Sequence, residues 1–336
     1  MRVVVTGGAG FIGGNLLYEW ARTHPEDELV TIDALTYAGH LTTIRPLIDA
    51  RRVAFVRADI ADAPAMRGAL EGADLLIHLA AESHVDRSIA APAPFVRTNV
   101  VGTQVLLDAA RENDVGRVHH VSTDEVFGSL PLSKDGAAFD ETSRYDPRSP
   151  YAASKAGADH LVRAYHHTYG LPVTLSNGGN NYGPYQHPEK LIPRAVTRLL
   201  DGGRVPVYGA GLNVRDWIHV VDHCRALDLI AHRGTPGATY LVGARCERTN
   251  LEVLRAILQH LQLPEERLEH VADRPGHDLR YALDPGRLER ELGWSPSIPF
   301  EEGIRATVDW YRANRAWWEP LLPRDPSPSP GAAPAS

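Results

Sequence analysis

Lysine is nearly missing from this 336-residue chain. Of its 35 basic residues only Lys134, Lys155 and Lys190 are lysines, and the other 32 are arginines. A GC-rich coding bias accounts for most of that skew, yet it makes each retained lysine worth locating. Cysteine is as scarce: Cys224 and Cys246 cannot build a disulfide framework, and they show no metal-ligand spacing, so no metal site is expected. Long apolar runs are lacking too. No window approaches the ~18–20 uninterrupted apolar residues of a membrane span. The opening Met1-Arg2-Val3-Val4-Val5 runs into glycines without the apolar core and cleavage site of a leader. A soluble cytoplasmic protein without a membrane partner is therefore expected. A net charge of −7 with no basic block leaves no electrostatic footprint for nucleic acid.

What is present is an ordinary globular composition, 43% hydrophobic and 23% charged, in a length that suits roughly two domains. The first half alternates short apolar runs with helical patterns. Strands are expected at 3–6, 28–33, 53–56, 74–79 and 117–122, and helices at 11–22, 95–112 and 151–169, the last with Pro150 at its start. Repeated βα units imply an α/β fold, a doubly wound parallel sheet with helices on both faces. Beyond residue 176 glycine and proline become frequent, and short strands mix with helices near 189–201, 222–233, 250–261 and 300–314. We expect a dinucleotide-binding domain over 1–175, with some later segments returning to it. A smaller mixed α/β substrate domain is expected mainly over 176–315, and a disordered Pro-rich tail over 323–336.

Thr6-Gly7-Gly8-Ala9-Gly10-Phe11-Ile12-Gly13 lies between the first strand and the first helix. Gly7, Gly10 and Gly13 permit a tight turn, close approach to a pyrophosphate and close helix packing. The helix N-terminus then offers unpaired N–H groups to phosphate. Asp33 ends the second strand twenty residues later, where its carboxylate can accept from a ribose 2′-hydroxyl and would repel a 2′-phosphate. No arginine follows in Ala34-Leu35-Thr36-Tyr37, so the cofactor is expected to be NAD rather than NADP.

Tyr151 and Lys155 stand four apart on the long helix and share a face. A nearby ammonium favours the phenolate, which makes the pair a proton acceptor for an alcohol oxidised by hydride transfer. Ser122-Thr123-Asp124-Glu125 ends the 117–122 strand, where parallel sheets bind ligands. Thr123 can hydrogen-bond the reacting hydroxyl. Adjacent carboxyls at Asp124 and Glu125 have their proton affinities pushed apart, so that one donates and one accepts. That equips the site for loss of water beside a carbonyl.

Together these motifs resemble the extended short-chain dehydrogenase/reductases with their Rossmann-type sheet, and among them the dTDP-glucose 4,6-dehydratase family. The glycine loop and the Tyr/Lys pair mark only the superfamily. Thr123-Asp124-Glu125, Asn180–Pro193 and Asp273-Arg274-Pro275-Gly276-His277-Asp278 point more narrowly, and the similarity spans about residues 2–315. The resemblance implies a redox-neutral dehydration of a nucleotide-activated hexose to its 4-keto-6-deoxy form. In it Tyr151, Lys155 and Thr123 serve oxidation at C4, Glu125 removes the C5 proton and Asp124 protonates the departing 6-hydroxyl. It further implies that Phe11, Ile12, Thr36, Asp59, Ile60, Leu79, Ala80, Ala81, Thr98 and Asn181 join the NAD site. Ser83, Asn180, Lys190, Leu191, Arg215, Asn250, Arg274 and His277 would hold sugar and diphosphate, with Pro206 and Tyr208 at the base.

Two departures from the family pattern stand out. Phe127 replaces a tyrosine, removing a hydroxyl expected near the acid pair, and Gly178-Gly179 replaces a Cys-Ser-like pair; these read either as tolerated drift or as a wider pocket, altered NAD retention or a modified hexose substrate. A 4-epimerase shares the fold, NAD and the Tyr/Lys pair but needs no acid pair. A dehydratase for a different NDP-hexose and a non-catalytic NAD-binding module are further readings of the same motifs. Helices 95–112 and 151–169 are long enough to pair with a second copy, so a homodimer is expected.

Overall fold

Val3, Val4 and Val5 are all fully buried, but they serve two different cores, Val4 on one side and Val3 and Val5 on the other. Alternation within a wholly apolar run is what a strand covered on both faces produces. This strand is β1 (Arg2–Thr6), followed by β2 (Glu28–Asp33), β3 (Val53–Arg57), β4 (Leu75–His78), β5 (Arg117–Thr123) and β6 (Val173–Gly178). Six further strands follow: β7 (Asn180–Tyr182), β8 (Val205–Tyr208), β9 (Val214–His219), β10 (Thr239–Val242), β11 (Glu247–Thr249) and β12 (Leu268–Val271). The computed structural model describes residues 1–133, 137–273 and 277–322. Lys134, Arg274 and the Pro-rich segment 323–336 lie outside them.

The main sheet runs β3-β2-β1-β4-β5-β6-β10, with every neighbouring pair parallel. Helices Ala63–Ala69, Thr103–Glu112 and Pro150–Tyr169 cover one face. Phe11–Thr23, Leu41–Asp49 and Val220–Arg233 cover the other. Strand order reverses between β1 and β4, which opens a crevice at the carboxyl ends of those strands. A second core gathers helices Leu191–Leu200, Asn250–Leu261 and Phe300–Ala313 around Trp217 and Trp318. There β7 and β11 flank β9, and β8 pairs with β12.

The helix expected over 95–112 is not uniformly α. A π-helical stretch, Val96–Gly102, joins Ala93–Phe95 to Thr103–Glu112. Within it the Asn99 amide brackets the backbone of Glu82 (2.9 and 3.0 Å) and donates to Ser154 Oγ at 2.8 Å. The wider turn thereby ties the loop after β4 to the helix carrying Tyr151. Such stretches recur at functional sites.

Candidate active site

The loop after β1 opens helix Phe11–Thr23 at Gly10 with no side-chain cap, leaving amide N–H groups for an anion. Gly7 has φ +75°, and a Cβ on it would lie 2.7 Å from the Ala80 amide nitrogen; a Cβ on Gly13 would overlap the Gly7 carbonyl. Only glycine lets loop, helix and the β4 segment approach this closely. Beside them lies a cavity of about 720 Å³, the size of a cofactor site. Gly7, Gly10, Phe11, Ile12, Gly13, Asp33, Thr36, Asp59, Ile60, Leu79, Ala80, Ala81, Thr98, Tyr151 and Lys155 all border it, as does Ser83. Asp33 is buried and accepts from the N–H groups of Ala9 (3.0 Å) and Leu35 (2.8 Å). Burial raises its pKa against the pull of those two donors.

Strand β5 delivers the acid pair. The Thr123 hydroxyl accepts from Glu125 N at 3.3 Å, capping the 3-10 turn Asp124–Phe127, and donates to Asp124 Oδ1 at 3.2 Å. Asp124 is 2% exposed. Burial first, and then the charge of Glu125, raise its pKa well above the ordinary carboxyl value, which favours the form that can donate a proton. Its Oδ2 is buried and has no hydrogen-bond partner among the described residues.

Helix Pro150–Tyr169 faces this turn. Ser149 caps it by accepting from Ala152 N at 3.1 Å, with Pro150 pre-set in the first turn. It aims Tyr151 and Lys155 at the large cavity. The expected lowering of the phenol pKa is not realised by these residues alone. Burial, followed by the charge of Glu125, holds the Tyr151 pKa well above 10 against a hydrogen bond from Thr123. Lys155 donates to the Val121 carbonyl at 2.8 Å, and burial pulls its pKa down to about 8, opposed by Asp159. Desolvation outweighs the ammonium because both groups sit out of water.

A second cavity, about 250 Å³, lies next to the first. Glu125, Asn180, Asn181, Leu191, Pro206, Tyr208, Arg215, Asn250 and His277 border it, while Gln186, Glu189 and Lys190 border both. Asn181, expected at the NAD site, borders this smaller cavity, and Ser83, expected at the sugar, borders the larger one. Lys190 links the two because its ammonium donates to the Ser83 carbonyl at 3.0 Å. Arg215 is buried, donates to the carbonyls of Val214 (2.7 Å) and Asp278 (3.0 Å), and lies 4.2 Å over the Tyr281 ring. His277 Nδ1 is 2.8 Å from Asp273. Asn180 Oδ1 is buried without a partner among the described residues.

Several lining residues carry no signal that a sequence reading could use. Gln186 and Glu189 do stand inside a motif singled out above, Asn180–Pro193. Arg97, paired with Asp59 at 2.8 Å, and Arg148 have no local signature, because only folding brings them to the crevice. Both departures from the family pattern also read differently in three dimensions. Phe127 is 4% exposed and stacks on Phe139, with ring centres 5.0 Å apart, inside an apolar cluster. Gly178 opens no space: a Cβ there would lie 2.8 Å from the His223 ring, which fills the room, and a Cβ on Gly179 would lie 3.0 Å from the Asp216 carbonyl.

The sequence matches the family described as GDP-mannose 4,6 dehydratase over residues 4–307. It is 52% identical over 322 residues to the dTDP-glucose 4,6-dehydratase of Mycobacterium tuberculosis H37Rv, covering 96% of each chain. The chain belongs to the dTDP-glucose 4,6-dehydratase family. A Streptomyces venezuelae dTDP-glucose 4,6-dehydratase, solved with NAD bound, superposes with a TM-score of 0.93 at 51% identity, over 96% of this chain and 100% of that one. A UDP-glucose 4-epimerase from Thermus thermophilus is similar at 32% identity and a TM-score of 0.86, over 94% and 100% of the two chains. The family is one of hydro-lyases, and the epimerase likeness marks the shared scaffold.

Proposed function

We propose that this chain converts dTDP-glucose to dTDP-4-keto-6-deoxyglucose, with NAD in the larger cavity and the sugar nucleotide in the smaller. The observation that carries this reading is the buried Asp124 carboxyl, its proton affinity raised by burial, beside Glu125 at the end of β5. A 4-epimerase has no use for such a pair. The glycine cradle and buried Asp33 suit NAD. Bound there, it supplies the hydride acceptor for C4 and afterwards the donor for C6.

Tyr151 takes the proton of the 4-hydroxyl, with Thr123 hydrogen-bonding the same oxygen. Its high proton affinity makes it a strong base once ionised, and positive charge from Lys155 and the bound nicotinamide favours that form. The 4-ketone then acidifies C5–H enough for Glu125 to remove it. Asp124, holding its proton, gives it to the departing 6-hydroxyl. Buried Arg215 and Lys190 suit a diphosphate by charge and donor geometry, and Pro206 and Tyr208 are placed to flank the base. In this division of labour residues up to about 175, with β10 and helix Val220–Arg233, form the cofactor lobe.

The same reading includes a homodimer. Val96 and Val101 are 50% and 44% exposed in the π-helical stretch Val96–Gly102, apolar surface that suits a second copy. Light scattering of wild type and Val96→Arg checks it, the variant being expected as a monomer. Among the described residues no helix is long and apolar enough to cross a membrane, and both cysteines are free thiols, which supports a cytoplasmic setting.

Incubating the purified chain with dTDP-glucose is expected to yield a 4-keto product and water. Conversion of UDP- or CDP-hexoses alone would overturn the substrate assignment. Epimerised hexose without loss of water would overturn the reaction.

A further inference from the structure

We infer that His24, Asp228 and His232 form a binding site for a divalent transition-metal ion of the zinc type, at the end of helix Phe11–Thr23 opposite the one that borders the larger cavity. Among the described residues they are the one group of three His, Cys, Asp or Glu side chains whose donor atoms all lie within 4.8 Å of one another. None of the three borders either cavity.

Two helices supply them. His24 caps the C-terminal end of helix Phe11–Thr23, and Asp228 and His232 stand one turn apart on helix Val220–Arg233. His24 Nε2 lies 3.1 Å from both Asp228 carboxylate oxygens, and His232 Nδ1 lies 2.8 Å from Oδ1 and 3.0 Å from the Asp228 carbonyl. Ligands on a tetrahedral zinc are about 3.4 Å apart, given metal–ligand bonds of 2.0–2.2 Å. The two histidine–carboxylate separations therefore need only small changes for a metal to replace the shared protons. Two imidazoles and one carboxylate are a donor set for zinc or a similar first-row ion, and leave the remaining positions to water.

The protein alone holds this arrangement in place. Trp20 is 1% exposed and fixed by its indole N–H, which donates to Asp27 at 3.0 Å. Both imidazoles pack on it, with ring centres 4.9 Å and 5.1 Å away, and stack on each other at 5.0 Å. Fixed neighbours of this kind orient ligands and lower the cost of assembling them. Side-chain exposures of 25–29% leave an entry path. By contrast His260 meets Asp309 at 2.9 Å on a carboxylate that Arg312 also contacts, at 3.2 Å. An ion at the trio would clamp the helix that carries the glycine loop to the helix that follows β9.

The test uses the full, untagged chain after chelator treatment and desalting, titrated with Zn²⁺ against a chromophoric competitor. One equivalent is expected to bind, and Zn²⁺ is expected to raise the unfolding midpoint. His24→Gln and His232→Gln should each weaken binding about tenfold or more and abolish the midpoint shift, while His260→Gln leaves both unchanged. Should one glutamine variant fail to fold, the other still decides. Absence of Zn²⁺ binding to the wild type, or binding that both folded variants retain at full strength, overturns the proposal.

Discussion

His120 and Asp159 meet 3.2 Å apart with both side chains almost wholly out of water, 1% and 0% exposed. Asp159 also accepts from Ser122 Oγ and Tyr145 Oη, each at 2.8 Å. Burial works against its charge, yet His120, Lys155 and Ser122 together hold its pKa below the usual value. It therefore provides a fixed negative charge one helical turn beyond Lys155.

That charge is what keeps Lys155 from losing its proton earlier than pH 8. Replacing Asp159 by Asn removes it, so the Lys155 pKa falls further. The sign follows: Lys155 is charged below its pKa, and the charged form now disappears at lower pH. The alkaline limb of the turnover profile is expected to move to lower pH, with about tenfold less activity at pH 8. An Asp159→Asn profile that overlays the wild type would show that the charge plays no part.

The acid pair makes a separable prediction. Glu125→Gln should stop the elimination while the initial oxidation continues, so reduced-nicotinamide absorbance builds up after substrate is added. Turnover is expected to drop by about 10²–10⁴-fold, the usual worth of a general base. Unchanged turnover would remove Glu125 from the mechanism.

Gly178 and His223 are coupled by space. Gly178→Ala drives a methyl into the His223 ring at 2.8 Å, and overpacking of this kind costs about 1–3 kcal/mol. Combining it with His223→Ser should recover part of that loss, giving a non-additive cycle in denaturant midpoints. Strict additivity would mean that the ring moves aside freely.

Gly13→Ala tests the cradle. The added methyl overlaps the Gly7 carbonyl, so the purified variant should carry much less NAD than wild type and recover little on incubation with it. Full NAD content would show that the loop is not held as tightly as its geometry implies.

His119 is fully buried between Thr174 Oγ1 (2.9 Å) and Ser176 Oγ (3.0 Å). Burial lowers its pKa to about 3. It stays neutral in the fold while the unfolded chain takes up a proton below about 6.5, so its stabilising contribution is complete above pH 6.5 and lost on acidification. His119→Gln should be less stable than wild type by about 1–2 kcal/mol at pH 8, from imperfect hydrogen bonding. That gap should narrow by roughly 1.4 kcal/mol per pH unit below 6.5. Parallel stability curves would rule this out.

Much of the molecule is legible along the chain because it depends on local rules. Glycines at 7, 10 and 13 allow one kind of turn, the unbroken apolar run of β1 demands cover on both faces, and Tyr151 and Lys155 share a helix face by spacing alone. Two of the three lysines, Lys155 and Lys190, consequently stand out by scarcity and motif, and both border the cavities. Proton affinities are another matter. Spacing brings Lys155 onto the face of Tyr151, but burial, set by helices and loops far apart in sequence, raises the proton affinity of the phenol and of Asp124. Phe127 and Gly178 depart from expectation for the same reason: what a missing atom leaves behind depends on which distant ring, Phe139 or His223, fills the space. The His24–Asp228–His232 cluster joins residues about two hundred positions apart. Its geometry follows from packing between two helices and from no pattern within either.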